Sequence, residues 1–387
     1  MTVVTADSTS RPIRVMHILP FVFSGGVETR RRELAKLLDP TQFEQKILCL
    51  SGSGPLRADI ENYGVEVLSR RTRQEWTPFD VLGLSWVIYQ IARWKPDIVH
   101  GAVFEGVSMA TLAGTLCRTP IIILEETGDP SVRSWRGDAL LRGLSQLADA
   151  CVGVSPAVGD YLKNDIGWSE QDIHQIDNGV ASFERQPPEV GRRLRRKWDI
   201  DEDAFLVGTV GRMLNSQKRF TDLIDAISLL KEELDRLHLI VVGTGGDLDM
   251  LKEYAAEKGI KERVTFTGYQ YNVDEYYSMM DAFALLSEHE SFGLVVAEAM
   301  FCELPVIATR VGGMQHIVID EETGFLVEPF NPKQAASAIR KLYESDSLCR
   351  RMATAGRARA EKRYGSQRYA KDVEKLYLDL IEEKGLR

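Results

Sequence analysis

No stretch of the sequence reaches the roughly 18 consecutive apolar residues that a membrane-spanning helix needs, so nothing in it reads as a transmembrane segment. Residues 1–12 are polar and rich in Ser and Thr. They lack the apolar centre of a secretion signal and read as a disordered lead-in. Cysteine is scarce: Cys49, Cys117, Cys151, Cys302 and Cys349 lie far apart and form no CxxC pair. That excludes a disulfide framework and a zinc site, and leaves reduced thiols of the kind a cytoplasmic protein carries. An excess of positive charge is missing too. A net charge of -9 excludes the basic domain of a nucleic-acid binder and speaks against tight docking on an anionic membrane. Peripheral membrane contact is allowed but not favoured. The G-x-G-x-x-G dinucleotide fingerprint is also absent.

What is present is an ordinary globular composition, 44% hydrophobic and 27% charged, in a chain of 387 residues, long enough for two domains. Short β-branched runs alternate with helical patterns. Strands are expected at 13–19, 46–50, 65–68, 97–100, 121–124 and 150–154, and again at 205–210, 239–242, 264–266, 282–286 and 306–309. Helices are expected between them, as at 27–38, 79–94, 220–234, 248–258 and 294–301. Such alternation implies parallel sheets with crossover connections. The pattern divides into a domain over 13–180, a linker over 181–191 around Pro187-Pro188, a second domain over 192–365, and a terminal helix over 366–387 that can pack back on the first domain. In open α/β sheets ligands bind outside the carboxyl ends of the strands, so the strand-to-helix turns are the places to look for chemistry.

Four turns stand out. Gly25-Gly26 precedes a helix and either admits a ligand to the backbone or merely permits the turn. Arg30-Arg31-Arg32 behind it reads as a surface face, with phosphates or an acidic acceptor as the alternative it could meet. After the strand at 205–210, Gly211-Arg212 and Lys218 place two cations six residues apart, suited to a diphosphate if they are not simply solvated. After the strand at 282–286, Glu290-Ser291-Phe292-Gly293-Leu294 leads into a helix with free amides, and Glu298 sits on an otherwise apolar stretch of that helix. A carboxylate so placed needs partners, and vicinal ribose hydroxyls are suitable ones. After the strand at 121–124 come Glu125 and Glu126. Asp247-Leu-Asp249 has the form of a metal-binding D-x-D, but it opens a helix, where acids are common for dipole reasons. The basic run 192–198 reads as a solvated helix face.

Glu290 to Glu298 with Ala299-Met300 resembles the E-x7-E hallmark of retaining GT-B glycosyltransferases (glycosyltransferase family 4, "glycosyl transferases group 1"). Gly25-Gly26, Asn178-Gly179-Val180, Gly211-Arg212…Lys218, Leu304–Thr309, Val311-Gly312-Gly313 and Thr323–Val327 are similar to further blocks of that family, in the expected order. The resemblance implies two Rossmann-like domains with parallel sheets facing a central cleft, and C-terminal helices. It implies a hexosyltransferase that moves a hexose or N-acetylhexosamine from a nucleotide sugar, a UDP-sugar being favoured, to a hydroxyl acceptor, without cofactor or metal. A nucleotide-sugar epimerase or a phosphorylase on the same fold is the alternative. Arg212, Lys218 and Glu290 would be catalytic. Glu298 would hold the ribose, and Gly25, Gly26, Ser291, Phe292, Gly293 and Leu294 would line the donor. Glu126 stands nearest to where many members carry a histidine, and would meet acceptor or donor hydroxyls. His100 matches a common family position and is a further catalytic candidate, although a lone histidine at a strand end is more often structural.

Overall fold

A computed structural model describes residues 11–23, 25–49, 54–70, 80–128, 133–181 and 183–386. The expected lead-in falls, through residue 10, outside the described residues. The chain forms two compact units. One comprises the residues up to Gly179 together with Ser366 onward, the other Val180–Gly365.

In the first unit the order is β1 (Ile13–Ile18), α1 (Gly26–Leu37), β2 (Phe43–Cys49), α2 (Pro55–Asn62), β3 (Glu66–Ser69), α3 (Val81–Trp94), β4 (Ile98–Ala102), α4 (Val103–Cys117), β5 (Ile121–Glu126), α5 (Trp135–Ser145), β6 (Ala150–Gly153), α6 (Pro156–Tyr161) and β7 (Ile173–Gln175). The second unit runs α7 (Pro188–Lys197), β8 (Phe205–Val210), α8 (Asn215–Lys218), α9 (Phe220–Leu230), β9 (Leu237–Val242), α10 (Leu248–Glu257), β10 (Val264–Gly268), α11 (Val273–Tyr277), β11 (Ala282–Leu285), α12 (Leu294–Phe301), β12 (Val306–Thr309), α13 (Met314–Ile317), β13 (Gly324–Val327), α14 (Pro332–Tyr343) and α15 (Asp346–Arg363). The last helix, α16 (Ser366–Glu383), belongs to the first unit. The residues 188–191, read as the end of a linker, are the first turn of α7.

Both sheets are parallel. Their orders are β3-β2-β1-β4-β5-β6-β7 and β10-β9-β8-β11-β12-β13. Strands such as β8 (FLVGTV) are apolar on both faces because helices cover both, which is the sequence signature of a buried parallel strand. Each order reverses once, between β1 and β4 and between β8 and β11, and such reversals open a crevice at the carboxyl ends of the strands.

The core of the first unit depends on α16. Its Tyr369, Val373, Leu376, Tyr377, Leu380 and Ile381 pack against Ile13, Phe43, Ile98, Ile121 and Ile123. Each such burial stabilises by about 2 kcal/mol. Beneath the helix sits an ionic cluster. Arg30 and Arg31, expected on a surface face, are instead buried. They donate to the two oxygens of Glu125 at 2.5 Å each. Only Arg32 of that run is half-exposed, where it pairs with Glu33. Burial alone would raise the Glu125 carboxyl, but the two guanidiniums and His100 hold it well below the usual range. The basic run in α7 also differs from expectation in part. Arg195 is buried and donates to the carbonyls of Met279 and Ala204 and to Asp281, whereas its neighbours Arg192 and Arg193 are exposed and pair with Glu189 and Glu275.

Two histidines join the ionic cluster. His17 and His100 lie with ring centres 5.6 Å apart and planes tilted by 42°, and both are buried. Burial, with Arg31 second, pushes His100 down to about 4 and His17 well below its ordinary 6.5. A depressed histidine pKa means the unfolded chain binds more protons below about 6.5. Stability is then complete above that pH and is lost as pH falls toward 4. Urea midpoints are expected to drop between about pH 7 and pH 5 by the equivalent of about 2 kcal/mol per histidine. A midpoint that stays flat over that range would show the imidazoles are not buried neutral.

Candidate functional site

In the second unit the carboxyl ends of β8, β9, β11 and β12 carry four turns that are joined by backbone hydrogen bonds. The Gly211 amide donates to Val242 and the Met213 amide to Thr244, binding the turn after β8 to the turn after β9. The Glu288 amide donates to Gln217, reaching from the turn after β11. The Gly313 amide donates to Glu290, reaching from the turn after β12. These contacts leave no room for side chains. A Cβ on Gly243 would lie 2.0 Å from the Gly211 carbonyl oxygen, one on Gly245 2.3 Å from that of Met213, and one on Gly313 2.5 Å from the Phe292 Cα.

On this frame Arg212 is exposed and makes no ion pair among the described residues. Lys218 ends α8 and its ammonium donates to Glu290 Oε2. Both side chains of that pair are mostly enclosed, at 16% and 14% exposure. Ser291 and Leu294 are half-buried, and Phe292 and Gly293 are buried. Gly293 precedes α12 with φ +102, a conformation that favours glycine. No side chain caps this end, and the described residues offer no acceptor to the amides of Phe292, Gly293 and Leu294. One turn further on, Glu298 Oε2 accepts from the Tyr277 hydroxyl at 2.8 Å. Burial, and then the Glu298 charge, push the Tyr277 phenol well above its ordinary value, so it stays a donor. Arg212, Lys218, Glu290, the α12 amides and Glu298 therefore share the carboxyl edge of one sheet, at its reversal point. That arrangement can bind an anion and accept hydrogen bonds from hydroxyls.

The first unit differs more from expectation. Gly25 and Gly26 do open α1, but the Glu28 carboxylate folds back over them. A Cβ on Gly25 would meet its Oε2 at 2.3 Å. Burial raises the Glu28 carboxyl, against amides that pull it down. His100 is 1% exposed; its Nδ1 lies 2.7 Å from the Tyr377 hydroxyl and its Nε2 3.1 Å from Glu125. Both ring nitrogens face protein groups, so its place is in the core and not on a substrate. Glu126 is likewise enclosed. Oε1 accepts from the Gly128 amide at 2.7 Å and Oε2 from Arg133 at 2.6 Å, and Arg133 lies over the Phe104 ring. Both carboxylate oxygens tether the loop after β5, which leaves them poorly placed for sugar hydroxyls. Burial is the main cause that raises this carboxyl above its usual range.

Two family profiles match the chain. Glycosyltransferase Family 4 covers residues 24–182 and Glycosyl transferases group 1 covers residues 191–359. N-acetyl-alpha-D-glucosaminyl L-malate synthase of Bacillus anthracis is 31% identical over 317 residues, 80% of this chain and 81% of that protein. This chain belongs to glycosyltransferase family 4. The lipopolysaccharide core biosynthesis glycosyltransferase LpsD of Rhizobium meliloti is 31% identical over 75% of the chain and 86% of its own length. Among solved structures, Anabaena Alr3699/HepE in complex with UDP-glucose superposes with a TM-score of 0.83 at 20% identity, over 94% of this chain and 99% of that one. The protein is thus a transferase of GT-B architecture. Among the described residues no three His, Cys, Asp or Glu side chains gather as a metal ion would require, and no helix is long and apolar enough to cross a membrane.

Sequence reasoning missed Tyr277 and Glu28 as neighbours of these residues. Nothing in a Tyr-Tyr pair within a short helix marks one of them as the partner of a carboxylate 21 residues on. The glycine-rich run 243–246 after the strand at 239–242 reads from the sequence equally as a lining of the nucleotide site or as a tight turn, and its close approach to Gly211 is visible only in the fold. Gly243→Ala is expected to displace Gly211 to Met213, lowering the melting temperature by several degrees and weakening nucleotide binding by about ten-fold or more. Unchanged binding in calorimetry would show that the glycine contact does not brace the site.

Proposed function

We propose that this glycosyltransferase moves a hexose or N-acetylhexosamine from a UDP-sugar to a hydroxyl acceptor with retention of anomeric configuration. One observation carries the proposal: Arg212, Lys218 and the uncapped amides of α12 share a strand edge with Glu290 and Glu298. When the glycosidic bond to the diphosphate breaks, negative charge develops on the departing phosphate. Preorganised cations and amides aimed at that charge lower the barrier most, and removing one such donor typically costs about a hundred-fold in rate. The acceptor proton passes to a phosphate oxygen of the leaving group as the new bond forms on the same face. No separate protein base and no metal is then needed.

Glu298, held by Tyr277, accepts from the ribose hydroxyls. Glu290 accepts from sugar hydroxyls once the donor phosphates draw Lys218 away from it. Glu290 and Glu298 are hydroxyl acceptors here and not a hydrolytic acid and base. The complex of HepE with UDP-glucose supports a UDP-sugar over its GDP and ADP counterparts, and the relation to the B. anthracis N-acetyl-alpha-D-glucosaminyl L-malate synthase supports an N-acetylhexosamine as one of the sugars moved.

A thermal-shift panel of UDP, GDP and ADP sugars tests the donor. UDP-sugars are expected to raise the melting temperature, since saturation at a hundred times the dissociation constant adds about 2.7 kcal/mol. Lys218→Ala should keep the fold and lose about a hundred-fold in turnover. Wild-type rates in that variant would sink the diphosphate assignment, and isomerisation of the nucleotide sugar with no acceptor present would favour an epimerase instead.

A further inference from the structure

Asp247 stands at the N-cap of α10, where an aspartate ordinarily accepts from the first amides of its own helix. It makes no such bond. Its Oδ2 accepts instead from the Asn215 amide at 2.6 Å, across 32 residues of chain, and so closes the first turn of α8. Asn215 secures the other end of that segment. Its Oδ1 accepts from the Thr221 amide at 3.0 Å, and its carbonyl accepts from the Arg219 amide at 3.0 Å. Lys218 lies between these two anchors. The companion acid of the D-x-D pattern takes no part: the Asp249 side chain is 93% exposed, 3.8 Å from Lys252.

We infer that Asp247 is a positioning residue of the donor site, acting through the backbone of α8 to aim Lys218. The D-x-D pattern is then a cap lent by one helix to another and not a cation site. The inference rests on Lys218 binding the donor diphosphate. A lysine reaches its target on a flexible four-carbon stem, so the direction of its backbone sets where the ammonium is found. Catalytic geometry is sensitive to a displacement of about 1 Å, and α8 is too short to hold its own direction without an outside acceptor. Asparagine at 247 retains an oxygen for the Asn215 amide, and alanine does not.

Calorimetric titration of UDP into the wild type, Asp247→Ala, Asp247→Asn, Lys218→Ala and the Lys218→Ala/Asp247→Ala double variant tests this, with melting temperatures measured alongside. Asp247→Ala should weaken UDP binding about ten-fold while Asp247→Asn stays near wild type. In the Lys218→Ala background the aspartate change should add nothing further. Equal affinity of Asp247→Ala and wild type overturns the inference. So does an additive loss in the double variant, which is what general loosening of the unit would produce. If the wild type itself binds no UDP, the donor reading beneath the inference fails and the inference falls with it, and all five proteins then look alike.

Discussion

The proposed donor edge of this glycosyltransferase depends on a contact that has no side chain in it. The Gly243 Cα lies so close to the Gly211 carbonyl that a methyl group would overlap it. Because of that approach the turns after β8 and β9 behave as one piece, and Asp247 reaches Asn215 at hydrogen-bond distance. Lys218 then stands where Glu290 meets it. The turn after β12 repeats the device, with Gly313 against Phe292. Parallel sheets bring all these ends to one edge, but glycine at 243, 245 and 313 lets the turns interlock there.

The first unit is organised by the opposite means. Its centre holds charge: Glu125 between Arg30 and Arg31, with His100 and Tyr377 beside it. Buried ion pairs are weak evidence of net stability, because desolvation offsets most of the attraction, yet removing one partner leaves a stranded charge and costs about 3–5 kcal/mol. Such a cluster therefore specifies one packing more than it strengthens it. It fixes where α1, β4, β5 and α16 meet, and that arrangement encloses His100 and Glu125 in the core.

How much was legible follows from where each partner lies in the chain. The alternation of strands and helices and the Glu290-to-Glu298 stretch are local, and they appear in the structure close to where the sequence puts them, whereas the order of the strands and its reversal points emerge only in the fold. Arg30 and Arg31 were misread because a triple arginine looks like a solvated face, and the acid that buries two of them lies 94 and 95 residues away. Glu126 looked available because its claimants, the Gly128 amide and Arg133, are visible only once the loop has closed. Asp247 read as an ordinary acid at the start of a helix for the same reason: its bond to Asn215 spans two turns. In each case composition gave the charge correctly and tertiary pairing decided its use.

The return of α16 to the first unit has a consequence for synthesis. Tyr369, Tyr377 and Ile381 complete a core whose other members, Ile13, Phe43 and Ile98, are made first. On the ribosome, where amino-terminal domains generally fold ahead of later ones, this order is inverted. The second unit has every one of its core residues by Tyr364, while the first must hold an unfinished apolar floor, and two arginines lacking their cover, until the final helix emerges. Of the two units, the one whose strands are made first is thus the last to be sealed.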